Sequence, residues 1–171
     1  MKDRTREALF SILGPIEPGT VVLDLFGGTG VMSFEALSRG AERSIVVERD
    51  RPTARRIEEF AERFGVADRV AVIVADVFHW WPGGAPEELR QAAAWLVICC
   101  PPYDVAAERP EESAALLKGL LRDAPSRSRL VFESDERFDG RHWLGSAWQR
   151  RSYRPAILWL ATAGHGAEAD R

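Results

Sequence analysis

The chain has 171 residues, a hydrophobic fraction of 46% and a formal net charge of −3. That length suits one domain with a substantial core, and no apolar run approaches the ~20 residues that span a bilayer. The net acidity argues against a broad nucleic-acid-binding surface.

Thr5 to Leu13 reads as a short amphipathic helix with Ala8, Leu9, Ile12 and Leu13 on one side. No apolar stretch of the signal-peptide kind follows Met1, so a cytoplasmic protein is expected. Pro15, Pro18 and Gly19 break the helix. Val21 to Leu25 is an apolar strand running into a Gly-rich loop, and the helix Val31 to Ser38 closes at Gly40. Ser44 to Glu48 is the second strand. The next helix shows the i, i+3, i+4, i+7 pattern in Ile57, Phe60, Ala61 and Phe64. Val70 to Ala75 and Trp95 to Cys99 are the third and fourth strands, separated by a Pro/Gly loop and a short helix. Leu116, Leu117, Leu120 and Leu121 mark another helix before a fifth strand, Arg129 to Glu133. Two last strands, near Ala147 to Tyr153 and Ala156 to Ala161, have no helix between them and read as a hairpin.

Strands alternating with helices imply a parallel sheet covered on both faces, with the hairpin making it mixed. One domain is expected over residues 1–161, with a disordered tail from 162 to 171. Cys99 and Cys100 are adjacent, so they point to opposite faces and do not pair with each other. Two cysteines and three histidines make no zinc pattern. Arginines 122, 127, 129, 137, 141, 150, 151 and 154 crowd the last third, as a solvated face with interspersed acids or as an RNA-contacting patch.

The first motif with chemistry is Asp24-Leu25-Phe26-Gly27-Gly28-Thr29-Gly30. Gly28 and Gly30, at a strand-to-helix turn, let the backbone come close to a ligand. Glu48 ends the second strand, where a carboxylate can accept both hydroxyls of a ribose. Asp76 follows the third strand, where an acid can take a hydrogen bond from an adenine amino group. A NAD enzyme shares the first two features but prefers a glycine where Ser33 stands. Asp24, inside the first strand, can fix the loop and reach a cationic ligand group through water. S-adenosylmethionine carries an ammonium and a sulfonium and no pyrophosphate, so it fits the loop better than NAD.

The second motif is Cys99-Cys100-Pro101-Pro102-Tyr103-Asp104. It follows the fourth strand, and ligands in open α/β sheets bind beyond the carboxyl ends of strands. Two prolines stiffen the loop, and Tyr103 offers a face on which a flipped base can stack.

Both motifs together resemble the S-adenosylmethionine-dependent amino-methyltransferases, whose signature after strand four is Asp or Asn, Pro-Pro and an aromatic. More closely, the chain resembles the ribosomal small-subunit RNA methyltransferase D (RsmD) family, which methylates the 2-amino group of a guanine in 16S rRNA. The residues that carry this are Thr5 to Phe10, Asp24 to Gly30, Glu35 to Ala41, Val47 to Asp50, Pro101 to Tyr103 and Val131 to Glu133. The resemblance implies a Rossmann-like class I methyltransferase fold, with a seven-stranded, mostly parallel sheet, a C-terminal antiparallel hairpin and helices on both faces. It implies S-adenosyl-L-methionine as cofactor and 16S rRNA or the small ribosomal subunit as partner. The candidate donor-binding residues are Asp24, Phe26, Gly28, Thr29, Gly30, Glu48, Arg49, Asp76 and Val77. The candidate catalytic residues are Cys100, Pro101, Pro102 and Tyr103.

Two departures stand out. Cys100 occupies the position of the family's Asp or Asn, whose oxygen accepts a hydrogen bond from the target amine, and a thiol is a poor acceptor. The family also carries a basic N-terminal arm ahead of the first helix, and here Met1 lies almost on that helix. The alternatives are an S-adenosylmethionine-binding module with impaired catalysis and a NAD-dependent oxidoreductase. A thiolate Cys100 acting as nucleophile for carbon methylation is a further, weaker option.

Overall fold

Runs of Val, Ile and Leu bounded by turn residues form the strands, and the 3.6-residue patterns between them form the helices. The computed structural model describes residues 3–164. Helix α1 (Asp3–Leu13) leads into β1 (Thr20–Asp24), α2 (Val31–Ser38), β2 (Arg43–Glu48), α3 (Arg51–Arg63) and β3 (Val70–Val74). Two single-turn helices, α4 (Val77–Trp80) and α5 (Glu87–Arg90), precede β4 (Ala94–Cys99). Then come α6 (Tyr103–Glu108), α7 (Pro110–Asp123), β5 (Arg129–Ser134) and α8 (Gly140–Leu144), followed by the hairpin β6 (Gln149–Tyr153) and β7 (Ala156–Thr162).

The strands make one seven-stranded sheet in the order β3-β2-β1-β4-β5-β7-β6. The pairs β1–β2, β1–β4, β2–β3 and β4–β5 are parallel. β7 runs antiparallel to both β5 and β6. The mostly parallel sheet with an antiparallel hairpin is therefore the one the alternation predicts. Strand order reverses at β1, which opens a crevice beyond the carboxyl ends of β1 and β4.

Alternation along β1 separates two cores. Val21, Leu23 and Leu25 face one side, with Trp81, Leu89, Leu117 and Leu120. Val22 faces the other, with Leu9, Phe10, Met32 and Leu37, and Leu96, Ile98 and Val131 join it from β4 and β5. Cys99 belongs to the first core and Cys100 packs against the second, so the two thiols do point apart. Among the described residues, no helix is long and apolar enough to cross a membrane.

Three expectations change. In α1 the buried stripe is Thr5, Leu9, Phe10 and Leu13, while Ile12 is exposed. In α3 the buried stripe is Ala54, Ile57 and Ala61, and Phe60 and Phe64 lie at its exposed edge. There they pack on each other and on Phe34 of α2 instead of entering the core. The expected disordered tail is partly structured: Thr162 ends β7 and Ala163 is buried, while residues 165–171 lie outside the described residues. Of the two readings of the C-terminal arginines, interspersed acids is the one the ion pairs fit, with Arg127–Glu17, Arg137–Asp104 and Arg154–Glu136. Arg129 leaves that face and bonds the Leu13 carbonyl. Arg150 and Arg151 sit on the exposed edge strand β6, where charge blocks edge-to-edge pairing.

Candidate functional site

The Gly-rich loop leaves β1 and is tied to β2 by its backbone. The Gly27 amide donates to the Val47 carbonyl at 3.0 Å, and the Gly28 amide donates to Glu48 Oε2 at 2.9 Å. The glycines serve different ends. A Cβ on Gly27 would stand 2.4 Å from a Val46 methyl carbon. Gly30 has φ +74 and a Cβ there would stand 2.9 Å from the Phe34 ring. Both are glycine because the loop packs against β2 and α2. Gly28, with φ +52, has only the Phe26 carbonyl within 4 Å of such an atom, at 3.9 Å, so its bare side opens into space a ligand can fill.

Asp24 lies beneath this loop and is buried. The Ser33 hydroxyl donates to Asp24 Oδ2 at 2.9 Å, and the Ser44 hydroxyl donates to Ser33 at 2.8 Å. Burial pushes the Asp24 pKa up to about 7, against the lowering effect of the Ser33 and Phe26 hydrogen bonds. This carboxyl does not reach the ligand space. Its bonds make it a strut joining β1, α2 and β2, the loop-fixing part expected of it. Gly30 likewise stands behind the wall, against Phe34 and Ile57.

Beyond the strand ends lies a cavity of about 740 Å³. Of the thirteen expected site residues, Phe26, Gly28, Thr29, Glu48, Arg49, Asp76, Val77, Cys100, Pro101, Pro102 and Tyr103 line it. The two motifs, distant in sequence, thus face one space. Glu48 holds the β2 side with both oxygens, Oε2 on the Gly28 amide and Oε1 on the Asp50 amide, each at 2.9 Å. A carboxylate has about four acceptor sites, which leaves capacity for a ligand diol. Asp76 caps α4, accepting from the Phe78 amide at 2.9 Å, and its other oxygen lies 3.8 Å from Arg109. It is both a cap and a cavity group.

The β4 side is built from side chains. Tyr103 opens α6 and donates its hydroxyl to Glu133 Oε1 at 2.9 Å. Desolvation and the Glu133 bond hold the Tyr103 hydroxyl protonated far above its ordinary range. Burial, and then the Glu133 and Asp24 carboxylates, push the Cys100 thiol well up. That direction disfavours a thiolate nucleophile.

Glu133, Arg109 and Phe78 also line the cavity, outside the thirteen expected site residues. Glu133, at the end of β5, is buried and belongs to the wall. It lies in the Val131 to Glu133 stretch that carries the resemblance, but its place beside Cys100 follows only from the pairing of β4 with β5. Arg109, between α6 and α7, places its guanidinium 4.0 Å over the Phe78 ring and pairs with Glu112. Phe78 also packs edge-on to Phe26 at 6.1 Å, giving the cavity an aromatic flank below Asp76. No local pattern marks Arg109 or Phe78.

Comparison with known proteins agrees with this geometry. Residues 1–151 match the family model described as conserved hypothetical protein 95. YlbH of Bacillus subtilis is 48% identical over 48 residues, which cover 28% of this chain and 26% of that protein. Ribosomal RNA small subunit methyltransferase D of Escherichia coli is 40% identical over 55 residues, 32% of this chain and 28% of that protein. The matched segments thus span little more than a quarter of either relative. An RNA methyltransferase from Salinibacter ruber, solved in complex with S-adenosyl-L-homocysteine, has the same fold. It superposes with a TM-score of 0.67 at 17% identity, covering 99% of this chain and 97% of that one.

Proposed function

Because the chain belongs to the conserved hypothetical protein 95 family, the RsmD family, we propose that it is an S-adenosylmethionine-dependent RNA methyltransferase acting on an exocyclic base amine. The substrate class that fits is a guanine 2-amino group of 16S rRNA or of the small subunit. The observation that carries this reading is the single cavity joining Gly28, Glu48 and Asp76 to Pro101, Pro102 and Tyr103. A Rossmann-like nucleotide half alone fits many ligands. A stiff Pro-Pro-aromatic loop across the same space fits a base brought to a methyl donor.

S-adenosylmethionine supplies an electrophilic methyl group when bound. The chain's residues bind and orient. The bare face of Gly28 admits the ligand, the Glu48 carboxylate receives ribose hydroxyls, and Asp76 with the Val77 backbone receives the adenine edge. Phe26 and Phe78 supply apolar contact. Pro101 and Pro102 restrict the loop, so the Tyr103 ring is positioned before the base arrives. Such preorganisation is worth more here than proton transfer, since the amine needs orientation and proximity above all.

Two measurements test this. Calorimetry should show binding of S-adenosylmethionine and S-adenosylhomocysteine and none of NAD; binding of NAD alone would end the reading. Radiolabelled methyl transfer to total RNA and to small subunits, with protein as a competing acceptor, should label RNA. Donor binding with no acceptor labelled would instead favour the impaired binding module, which Cys100 recommends.

A further inference from the structure

Four carboxylates line the cavity among the described residues, and the sheet sorts them. Glu48, Asp50 and Asp76 stand at the ends of β2 and β3, on the Gly-loop side. Glu133 stands alone on the β5 side, across β4 from the loop. Cys99 pairs with Phe132 in the parallel register, so one residue further on Cys100 and Glu133 come abreast on one face. Glu133 is buried, and its Oε1 accepts from the Tyr103 hydroxyl at 2.9 Å. A buried carboxylate at a ligand cavity is costly unless it is hydrogen-bonded, and one hydroxyl bonded to this one belongs to the ring proposed to carry the base.

We propose that the Glu133 carboxylate, set beside Cys100 by the β4–β5 register and aimed by the Tyr103 hydroxyl, is the acceptor for the target amine. The proposal rests on the methyl-transfer reading above and assigns the role that the thiol of Cys100 cannot fill. An N–H bonded to this carboxylate turns the nitrogen lone pair toward the methyl carbon. The nitrogen then forms the N–C bond, the C–S bond breaks with its electron pair left on sulfur, and the displaced N–H proton passes to the carboxylate. Tyr103 plays a positioning part twice over, with its ring toward the base and its hydroxyl on the acceptor.

The test is steady-state methyl transfer to the RNA labelled by the parent protein, with S-adenosylhomocysteine binding measured beside it. Glu133→Gln should lower kcat by ~10²-fold, the scale on which a positioned polar partner acts. Its KM for RNA and its S-adenosylhomocysteine affinity should stay within about threefold of the parent's. Adding Cys100→Asp to Glu133→Gln should restore at least about tenfold of the lost rate, because it returns a carboxylate to the neighbouring strand end. Tyr103→Phe, which keeps the ring and the carboxylate, should lower kcat by about tenfold; it also serves if Glu133→Gln does not fold. The proposal is overturned by a Glu133→Gln enzyme with the parent's kcat, or by a loss that tracks weakened S-adenosylhomocysteine binding. It is equally overturned by a double variant that recovers nothing. A parent that binds the donor product but methylates no RNA overturns the methyl-transfer reading and this role with it. An active parent whose rate ignores Glu133 overturns this role alone.

Discussion

The two sides of the cavity are held by different means. On the β1–β3 side, carboxylates bond backbone amides: Glu48 takes those of Gly28 and Asp50, and Asp76 takes that of Phe78. On the β4–β5 side, a bond between side chains runs from Tyr103 to Glu133, and prolines supply the stiffness. The difference teaches where sequence change is tolerated. A side made of backbone geometry depends on residue size and φ, whereas a side made of side-chain pairs can trade partners, as a thiol at position 100 beside a carboxylate at 133 suggests.

The largest expected effect breaks the backbone side. Gly30→Ala puts a side chain at φ +74 against Phe34. It should cost ~2–5 kcal/mol of stability, combining left-handed strain with overpacking. Denaturant unfolding measures this, and an unchanged midpoint would show that the loop yields easily. Next is Asp24→Asn. The Asp24 pKa in the folded state, about 7, lies above its ordinary 3.8. The folded protein therefore holds that proton more tightly, and stability falls as pH rises from about 4 through 7. Replacing the acid by its neutral isostere should remove that slope and stabilise the protein at pH 8 by up to ~4 kcal/mol. Melting curves across that pH range check the sign.

Smaller effects sharpen the contrast. Glu48→Gln should weaken S-adenosylhomocysteine binding by ~1–3 kcal/mol, while kcat at saturating donor changes less. The opposite split is expected at Glu133, and calorimetry with kinetics separates the two. Asp76→Asn keeps a capping side chain, so stability should move by less than ~0.5 kcal/mol while donor affinity still falls severalfold. Equal affinities for parent and variant would make Asp76 a cap and nothing more. The smallest effect belongs to Cys100→Asn in the parent, expected to alter kcat by less than about tenfold because an acceptor already stands beside it.

The contrast also explains what could be read in advance. The β1 loop, Glu48 and Asp76 are local features: a strand, a turn and an acid within a few residues. Their placement at one cavity follows from the β/α alternation. Glu133 lies in a stretch that the resemblance marks, but its place at the cavity follows only from the pairing of β4 with β5, and that of Arg109 and Phe78 only from the packing of α4 against α7. Asp24 was legible in part, for a related reason. Its position in the strand was clear, but which way it faced depended on Ser33 and Ser44, contributed by α2 and β2. Phe60 and Phe64 satisfied helical periodicity, yet α3 meets the sheet along the narrower stripe of Ala54, Ile57 and Ala61.

Glu48 has one more consequence. Its oxygens hold the Gly28 and Asp50 amides, so bonds within the chain fix the shape of the receptor loop. A ligand arriving there has little ordering entropy to overcome. Association should then be a single encounter whose observed rate climbs in proportion to donor concentration, with no plateau from a slow rearrangement.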